Sequence, residues 1–493
     1  MSDYLKYRFL EIIPGFMVWT TLIMSVVLSF VKPVWLMYFV IVFDLYWLFR
    51  VSYFIFYLFI SGFRLNRTKK IDWLAKLEKE VPTWKDKYHL IFLPTANEPF
   101  NVIEGTFKAL NEAKYPLDKF IVVLCGEERG GKERFLNIAE KIKNQFGDKF
   151  KKFIVTVHPD GMVGEIKGKG SNLNYAGHLV QKMIDTEKIP YDDIVVSSFD
   201  IDTRVHPQYF AYLTYLYCTE PKPMHASYQP VALYNNNIWQ SNPLLRVTAF
   251  GTTFWIMTEL ERPDRLFTFS SHSMSFRALT DVGFWQKNIV TEDSRIFLQC
   301  FLRYSGDYRV VPIYLPVSMN TAEGEHFWDS VKNVYKQQRR WAWGVEHFPF
   351  MVWHFMRHKH IPWAKKIKYL WNLGEGMYSW ASAPILIFIL GRLPLYLAPE
   401  AVRSSAFYQN TPFTLEFLMN LAMAGILFSA IFNVLLLPKP PKSKPWNYPI
   451  MILQWIFLPV TLIIFGSIPA IDAQTRLMLG RYLGFYVSKK KTD

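Results

Sequence analysis

From Ile12 to Val31 the sequence carries no charged residue, and about 20 helical residues rising roughly 1.5 Å each suffice to cross a hydrocarbon layer of about 30 Å. In lipid a backbone must satisfy its own hydrogen bonds, so this stretch is expected to be a spanning helix. A second apolar stretch follows Lys32-Pro33 and runs from Val34 to about Gly62, interrupted by Asp44 and Arg50. A charge at mid-membrane costs about 2.5 to 3.5 kcal/mol, so Asp44 is expected to face protein or water, in an interhelical contact or along a glycan or lipid path; Arg50 can snorkel. After Arg340 the apolar character returns. Trp371 to Leu390, Phe417 to Leu437 and Pro449 to Ile471 read as spans, while Phe348 to Met356 is too short and reads as an interfacial helix.

The basic residues orient these spans. Lys6 and Arg8, the run Arg64, Arg67, Lys69 and Lys70, and Lys439, Lys442 and Lys444 put the N-terminus and the long central region in the cytoplasm by the positive-inside rule. Two spans before that region and three after it would leave Arg476, Arg481 and Lys489 to Lys491 outside, against the rule. A break at Pro459, Gly466 or Pro469 would instead return the tail to the cytoplasm, and both arrangements stay open. No cleavable signal peptide is expected, because the first apolar stretch is long and soon followed by another.

Between the spans, strand-like runs alternate with helical ones: His89 to Leu93, Val102 to Ala113, Phe120 to Cys125, Lys132 to Phe146, Phe153 to His158, Asn172 to Ile184 and Ile194 to Phe199. That alternation predicts a doubly wound parallel sheet. The expected layout is therefore two spans in 1–63, an α/β domain in 64–342, an interfacial region in 343–366, C-terminal spans in 367–471 and a basic amphipathic tail in 472–493. Composition agrees with a membrane protein: 51% of residues are apolar and 17% aromatic, and 56 Lys and Arg against 41 Asp and Glu give a net charge of +15. Such a bias suits anionic headgroups or phosphorylated substrates. Nucleic acid is not an expected partner, because the basic residues cluster beside apolar spans and no nucleic-acid-binding motif occurs. Cys125, Cys218 and Cys300 are too widely spaced for a disulfide framework or a Cys-based metal site.

Four constellations carry chemistry. The buried-strand run Val195 to Phe199 ends in Asp200-Ile201-Asp202, at the carboxyl end where α/β sheets place ligands. If the chain there is extended, side chains alternate, and both carboxylates can converge on one divalent cation and a nucleotide ribose. Upstream, Lys167-Gly168-Lys169-Gly170-Ser171-Asn172 is a basic, glycine-rich turn into a helix, a place where backbone N–H groups and a Lys meet phosphate. It lacks the glycine spacing and the hydroxyl of a Walker loop. Thr291-Glu292-Asp293 opens a helix over Ser294 to Leu302, with Thr291 as the expected cap and Asp293 in the first turn, where the dipole favours a carboxylate fit to be a general base. On a helix beginning near Asp329, Gln337, Arg340 and Trp341 share one face while Gln338 and Arg339 point elsewhere. A guanidinium stabilises a departing diphosphate, and an indole offers a sugar a stacking platform. Arg339 and Trp343 are expected to be structural.

In this order and between apolar spans, Asp-x-Asp, Thr-Glu-Asp and Gln-x-x-Arg-Trp resemble the membrane-embedded family 2 glycosyltransferases of the cellulose synthase and hyaluronan synthase type. The resemblance covers roughly Leu90 to Trp341 by motif. It implies a Rossmann-like α/β GT-A domain in the cytoplasm, inserted between α-helical transmembrane segments, and inverting transfer from a UDP- or GDP-linked sugar with Mg²⁺ or Mn²⁺ as cofactor. By position, Asp200 would contact the nucleotide, Asp202 the metal and Lys169 the diphosphate; Asp293 would be the base, with Glu292 beside it at the acceptor. Gln337, Arg340 and Trp341 would close over donor and acceptor. Pro94 to Glu98 resembles the first nucleotide-binding loop, with Thr95 and Glu98 as contacts. The second strand departs from the pattern, ending in Cys125-Gly126-Glu127-Glu128 where an Asp-rich turn is usual, and Glu127 is the substitute. Ser270 to Arg277 resembles the acceptor-side loop, in which His272 is unusual. The expected reaction extends a polysaccharide, with membrane lipids as surroundings, and passage of the product through the spans is left open. The alternatives are transfer of a single sugar to a polyprenyl phosphate or glycolipid, and a catalytically inactive nucleotide-binding scaffold.

Overall fold

The structure, a computed structural model, describes residues 2–438 and 446–484. Lys439, Lys442, Lys444 and Lys489 to Lys491 lie outside the described residues. The four expected strands form as β1 (Tyr88–Pro94), β2 (Phe120–Glu127), β3 (Lys152–His158) and β4 (Ile194–Ser198). All pairings among them are parallel, and every residue of β2 and β4 is buried, which explains why both read as unbroken apolar runs. Helices Phe100–Asn111, Lys132–Phe146 and Lys169–Glu187 make the connections. In the second of these, Phe135, Ala139, Ile142 and Phe146 are buried, a stripe at helical spacing against the sheet.

The expected all-parallel sheet is in fact mixed. The chain adds β5 (Arg204–Val205), β6 (Ala226–Leu233), β7 (His272–Ser275) and β8 (Arg309–Ser318), in the order β3-β2-β1-β4-β7-β6-β8-β5. β7 runs antiparallel to both β4 and β6, and β5 antiparallel to β8. β7 is short and polar, so no hydrophobic period marks it in the sequence. Its wholly buried residues are held in place by bonds such as Ser197 to Ser273, hydroxyl to hydroxyl at 2.7 Å.

Alternation along β1 sends Leu90 and Phe92 into one core and Ile91 and Leu93 into the other. The first core continues into Leu58 and Leu65 of the Pro33–Lys69 helix and into Phe432 and Trp455 near the C-terminus, so the domain and the long helices are packed as one body. Each large side chain buried there contributes about 1.5 to 3 kcal/mol. Among the described residues, four helices are long and apolar enough to cross a membrane: Asp3–Val31, Pro33–Lys69, Ala406–Leu436 and Asn447–Met478. Trp363–Phe388 and Leu390–Leu397, bent by 42°, make a fifth candidate if taken together. Phe16, Phe30, Phe49 and Phe59 are each at least 60% exposed on the first two, the outward apolar face that a bilayer would cover. Asp44 is buried against the bundle, as expected.

Ala406–Leu436 packs parallel to Pro33–Lys69, with Tyr38 stacked on Phe407 at 4.2 Å near the start of both helices and Phe432 over Gly62 near their ends. A Cβ at Gly62 would sit 2.3 Å from the Phe432 ring, so only glycine permits this approach. Residues 447–478 stay helical through a 3₁₀ turn at Gln454–Phe457 and a π turn at Leu462–Ser467. Both ends of this segment pack against other parts of the protein. Tyr448 meets Trp239, just beyond β6, edge-on at 6.0 Å; Asp472 pairs with Arg339 at 2.8 Å; and Arg8 donates to the carbonyls of Leu477 and Met478.

Candidate functional site

The carboxyl ends of β1, β2 and β4 and the N-terminal turns of helices Lys169–Glu187 and Glu292–Arg303 meet at one place. At its centre the Lys169 ammonium donates to Asp200 at 2.8 Å and to both oxygens of Asp293 at 2.9 Å. Burial works against the charged ammonium, but Asp200 and Asp293 outweigh it and hold the Lys169 pKa well above its ordinary value. The Ser270 hydroxyl donates to the other oxygen of Asp200, which places the Ser270 to Arg277 loop against the same carboxylate. The extended geometry expected for Asp200 and Asp202 does not hold. β4 stops at Ser198, and a turn closed by Thr203 N–H to Asp200 C=O follows, so the two acids take different partners: Asp202 accepts the Asn320 backbone N–H at 2.8 Å. Both charges nevertheless act on the Tyr234 hydroxyl, whose pKa burial and these carboxylates raise.

Glu292 is buried, with Oε2 lacking a hydrogen-bond partner. Burial, and then the Asp293 charge, push its carboxyl up to about 8, so it is largely protonated at neutral pH. Thr291 does not cap its helix as expected. Its hydroxyl donates to Glu346 in the turn Trp343–Glu346 instead, because that buried carboxylate offers a charged acceptor. The Arg340 charge reaches both Glu292 and Tyr234. Trp341 packs against Tyr234 with centroids 5.8 Å apart, and these two rings line one cavity with Gln337, Gln338, Thr248, Thr252 and Thr321. Gln338 is thus not directed elsewhere: it is buried on the cavity wall, since helix Phe327–Ala342 is clasped on more than one side. Arg339 does point away, to Asp472, and Trp343 is buried in a core with Val18 and Ala470.

Thr95, Glu98 and Glu127 stand at the strand ends but are bonded locally. Glu98 accepts from the Thr95 hydroxyl at 2.7 Å and from the N–H groups of Ala96 and Asn97, closing the loop after β1. Glu127 pairs with Arg129. The Cys125 carbonyl, accepting from Thr95 N–H and the Asn172 amide, ties this loop to the start of the Lys169 helix. His272 is fully buried in β7, donates from Nδ1 to the Phe269 carbonyl with Asp293 4.0 Å away, and has its pKa lowered by burial. Tyr234 and Asn320 escaped the sequence reading. Each follows a strand, β6 and β8, and only the sheet order brings those strand ends to Asp202.

The oxygen ligands at hand suit a hard cation. Among the described residues no three His, Cys, Asp or Glu side chains cluster as a ready-made metal cage. Mg²⁺ is commonly held by one or two carboxylates with the remaining ligands from substrate phosphates and water; here Asp200 is bonded by Lys169 and Ser270, and Asp202 accepts the Asn320 N–H.

A family model described as glycosyl transferase family group 2 matches residues 195–468, more than half of the chain. The chain belongs to this family. It is a glycosyltransferase, and its mixed sheet is the Rossmann-like GT-A fold. Among solved structures, the glycosyltransferase is similar to the mannosyltransferase PcManGT from Pyrobaculum calidifontis in complex with GDP-Man and Mn²⁺, at 15% identity over 78% of this chain and 99% of that one, with a TM-score of 0.44. It is also similar to S. aureus TarS 1-349 in complex with UDP-GlcNAc, at 13% identity over 70% and 90% of the two chains, TM-score 0.37. A third similarity is to glucosyl-3-phosphoglycerate synthase from Mycobacterium tuberculosis in complex with Mg²⁺ and UDP, at 14% identity over 59% and 84%, TM-score 0.33. The comparison with curated proteins gives no match.

Proposed function

We propose that this glycosyltransferase transfers a sugar, with inversion and metal dependence, from a UDP- or GDP-linked donor to a growing polysaccharide at the membrane, its catalytic domain lying in the cytoplasm. The observation that carries the reading is the convergence of Asp200, Lys169 and Asp293 beside the Trp341 cavity. Each carboxylate oxygen can accept two hydrogen bonds, so Asp293, holding one from Lys169 on each oxygen, retains room for an acceptor hydroxyl. That hydroxyl attacks the anomeric carbon while Asp293 takes its proton and the bond to the diphosphate oxygen breaks. Arg340 and Lys169 stand where negative charge grows on the leaving diphosphate. A bound Mg²⁺ or Mn²⁺ supplies further charge neutralisation there; Asp200 and Asp202 would hold it. Thr95, Glu98 and Glu127 shape the base end of the donor cleft, and Trp341 with Tyr234 offers the acceptor sugar an aromatic wall.

Transfer to a lipid-linked acceptor is the second reading, favoured by one observation: a stripe along helix Pro243–Leu260 leads from the Trp341 cavity to a cluster of arginines beside the long apolar helices. Purified protein incubated with a panel of sugar nucleotides and Mg²⁺ or Mn²⁺ tests the proposal, following nucleotide diphosphate release and product size together. A polymer supports the first reading and one discrete glycolipid the second. No turnover with any sugar nucleotide would leave a nucleotide-binding scaffold.

A further inference from the structure

Among the described residues, four that are not glycine have a positive φ: Lys188, Ser271, Phe284 and Ser305. Lys188, Phe284 and Ser305 each follow the end of a helix, where a left-handed residue is an ordinary terminator. Ser271, with φ of 62°, follows no helix. It lies one residue before β7, is fully buried, and sits beside the point where β4 gives way to Asp200. Only glycine enters this backbone region without a steric penalty, so a buried serine there calls for a reason in its side chain.

That hydroxyl is fully engaged. Its oxygen accepts the Asp200 N–H at 3.4 Å and pairs with the Thr203 hydroxyl at 2.9 Å, gripping both ends of the turn that carries Asp202. With Thr203 as donor, the Ser271 proton goes to the Met319 sulfur at 3.6 Å, next to the Asn320 whose N–H holds Asp202. A hydroxyl has one donor and two acceptor sites, and all three are taken. The left-handed kink also sends the flanking side chains to different acids. Ser270 donates to the Asp200 carboxylate, while His272 turns back to the Phe269 carbonyl with Asp293 4.0 Å away. Earlier in the same loop, Thr268 donates to the Asp293 carbonyl at 2.6 Å.

We infer that Ser271 is a positioning residue: it fixes the Asp200–Thr203 turn, and with it the directions of the Asp200 and Asp202 carboxylates, for the nucleotide diphosphate and its divalent cation. What those acids bind is taken from the proposed function above; what holds them is read from the hydrogen bonds and the backbone. Ser271 itself is buried beneath the turn and acts only through the two acids.

The test is binding of UDP and of GDP, each with Mn²⁺, to the full-length protein in detergent, with melting temperature measured on the same preparations. Ser271→Ala keeps a side chain in the left-handed position and removes the hydroxyl. Nucleotide affinity is expected to fall about three- to tenfold, the worth of a net hydrogen bond, and the Mn²⁺ midpoint to rise alike. Ser271→Gly removes the hydroxyl and the backbone penalty together. It should melt above the Ala variant, because alanine at positive φ is destabilising, and yet bind nucleotide no better. Thr203→Val should also weaken binding, and combined with Ser271→Ala should lose less than the product of the two single losses, as groups acting as one unit do. Wild-type affinity in Ser271→Ala would overturn the inference. So would fully multiplicative losses in the double variant, or a Gly variant whose affinity recovers in step with its melting temperature, the mark of a purely structural serine. Failure of the transfer reading shows separately, as a protein that binds nucleotide with this pattern but turns over no sugar nucleotide.

Discussion

Lys169 and Asp293, 124 residues apart in the chain, are joined by two hydrogen bonds of 2.9 Å, one to each carboxylate oxygen. The pair locks the start of one helix to the start of another, and the same ammonium reaches Asp200. The residue proposed to bind donor phosphate is thereby also the residue that positions the proposed base.

Lys169→Gln should therefore do more than weaken donor binding. Lys169 is buried, and breaking a buried ion pair from one side costs about 3 to 5 kcal/mol, because the remaining carboxylates lose their counter-charge. A clear fall in melting temperature is expected, together with loss of transfer. Normal stability in this variant would show that Asp200 and Asp293 do not depend on the ammonium.

Asp293→Asn keeps the size of the side chain and an acceptor for Lys169. General base catalysis contributes a factor of about 10² to 10⁴, so the transfer rate should fall by that order while donor affinity changes little. Donor affinity, melting temperature and rate measured on one preparation separate a base from a structural acid. Near wild-type transfer would exclude Asp293 as the base.

Metal dependence is expected to pass through Asp202. Asp202→Asn should abolish Mg²⁺- or Mn²⁺-dependent donor binding with little change in fold, since Asn can still accept the Asn320 N–H. EDTA should reproduce the variant's behaviour in the wild type, and full activity in excess chelator would refute the role.

Glu292 predicts a pH dependence of stability. Its carboxyl is raised from 4.5 to about 8 by burial and the Asp293 charge. Between those values the folded chain holds a proton that the unfolded chain has released, so stability falls as pH rises. The contribution is complete below about 4.5 and is lost as pH climbs through about 8. Glu292→Gln should flatten this slope and melt higher than wild type at pH 8. Parallel melting curves for the two proteins across that range would rule out a protonated Glu292.

The long apolar helices were legible in the residues alone, because lipid leaves a backbone few options, and so were the four parallel strands, because burial on both faces writes an unbroken apolar run. The sequence also singled out Asp200, Lys169 and Asp293, whose residue types and order suit one reaction. Tertiary structure alone decided that β7, four residues long and mostly polar, inserts antiparallel between β4 and β6, since its stability lies in partners distant in the chain. The same sheet order delivers Tyr234 and Asn320 to the site, and no local pattern could announce them. Nor could helical spacing foresee Thr291 bonding to Glu346, or the last helical segment returning to Arg8, because both depend on charges and carbonyls that only folding brings within hydrogen-bond reach.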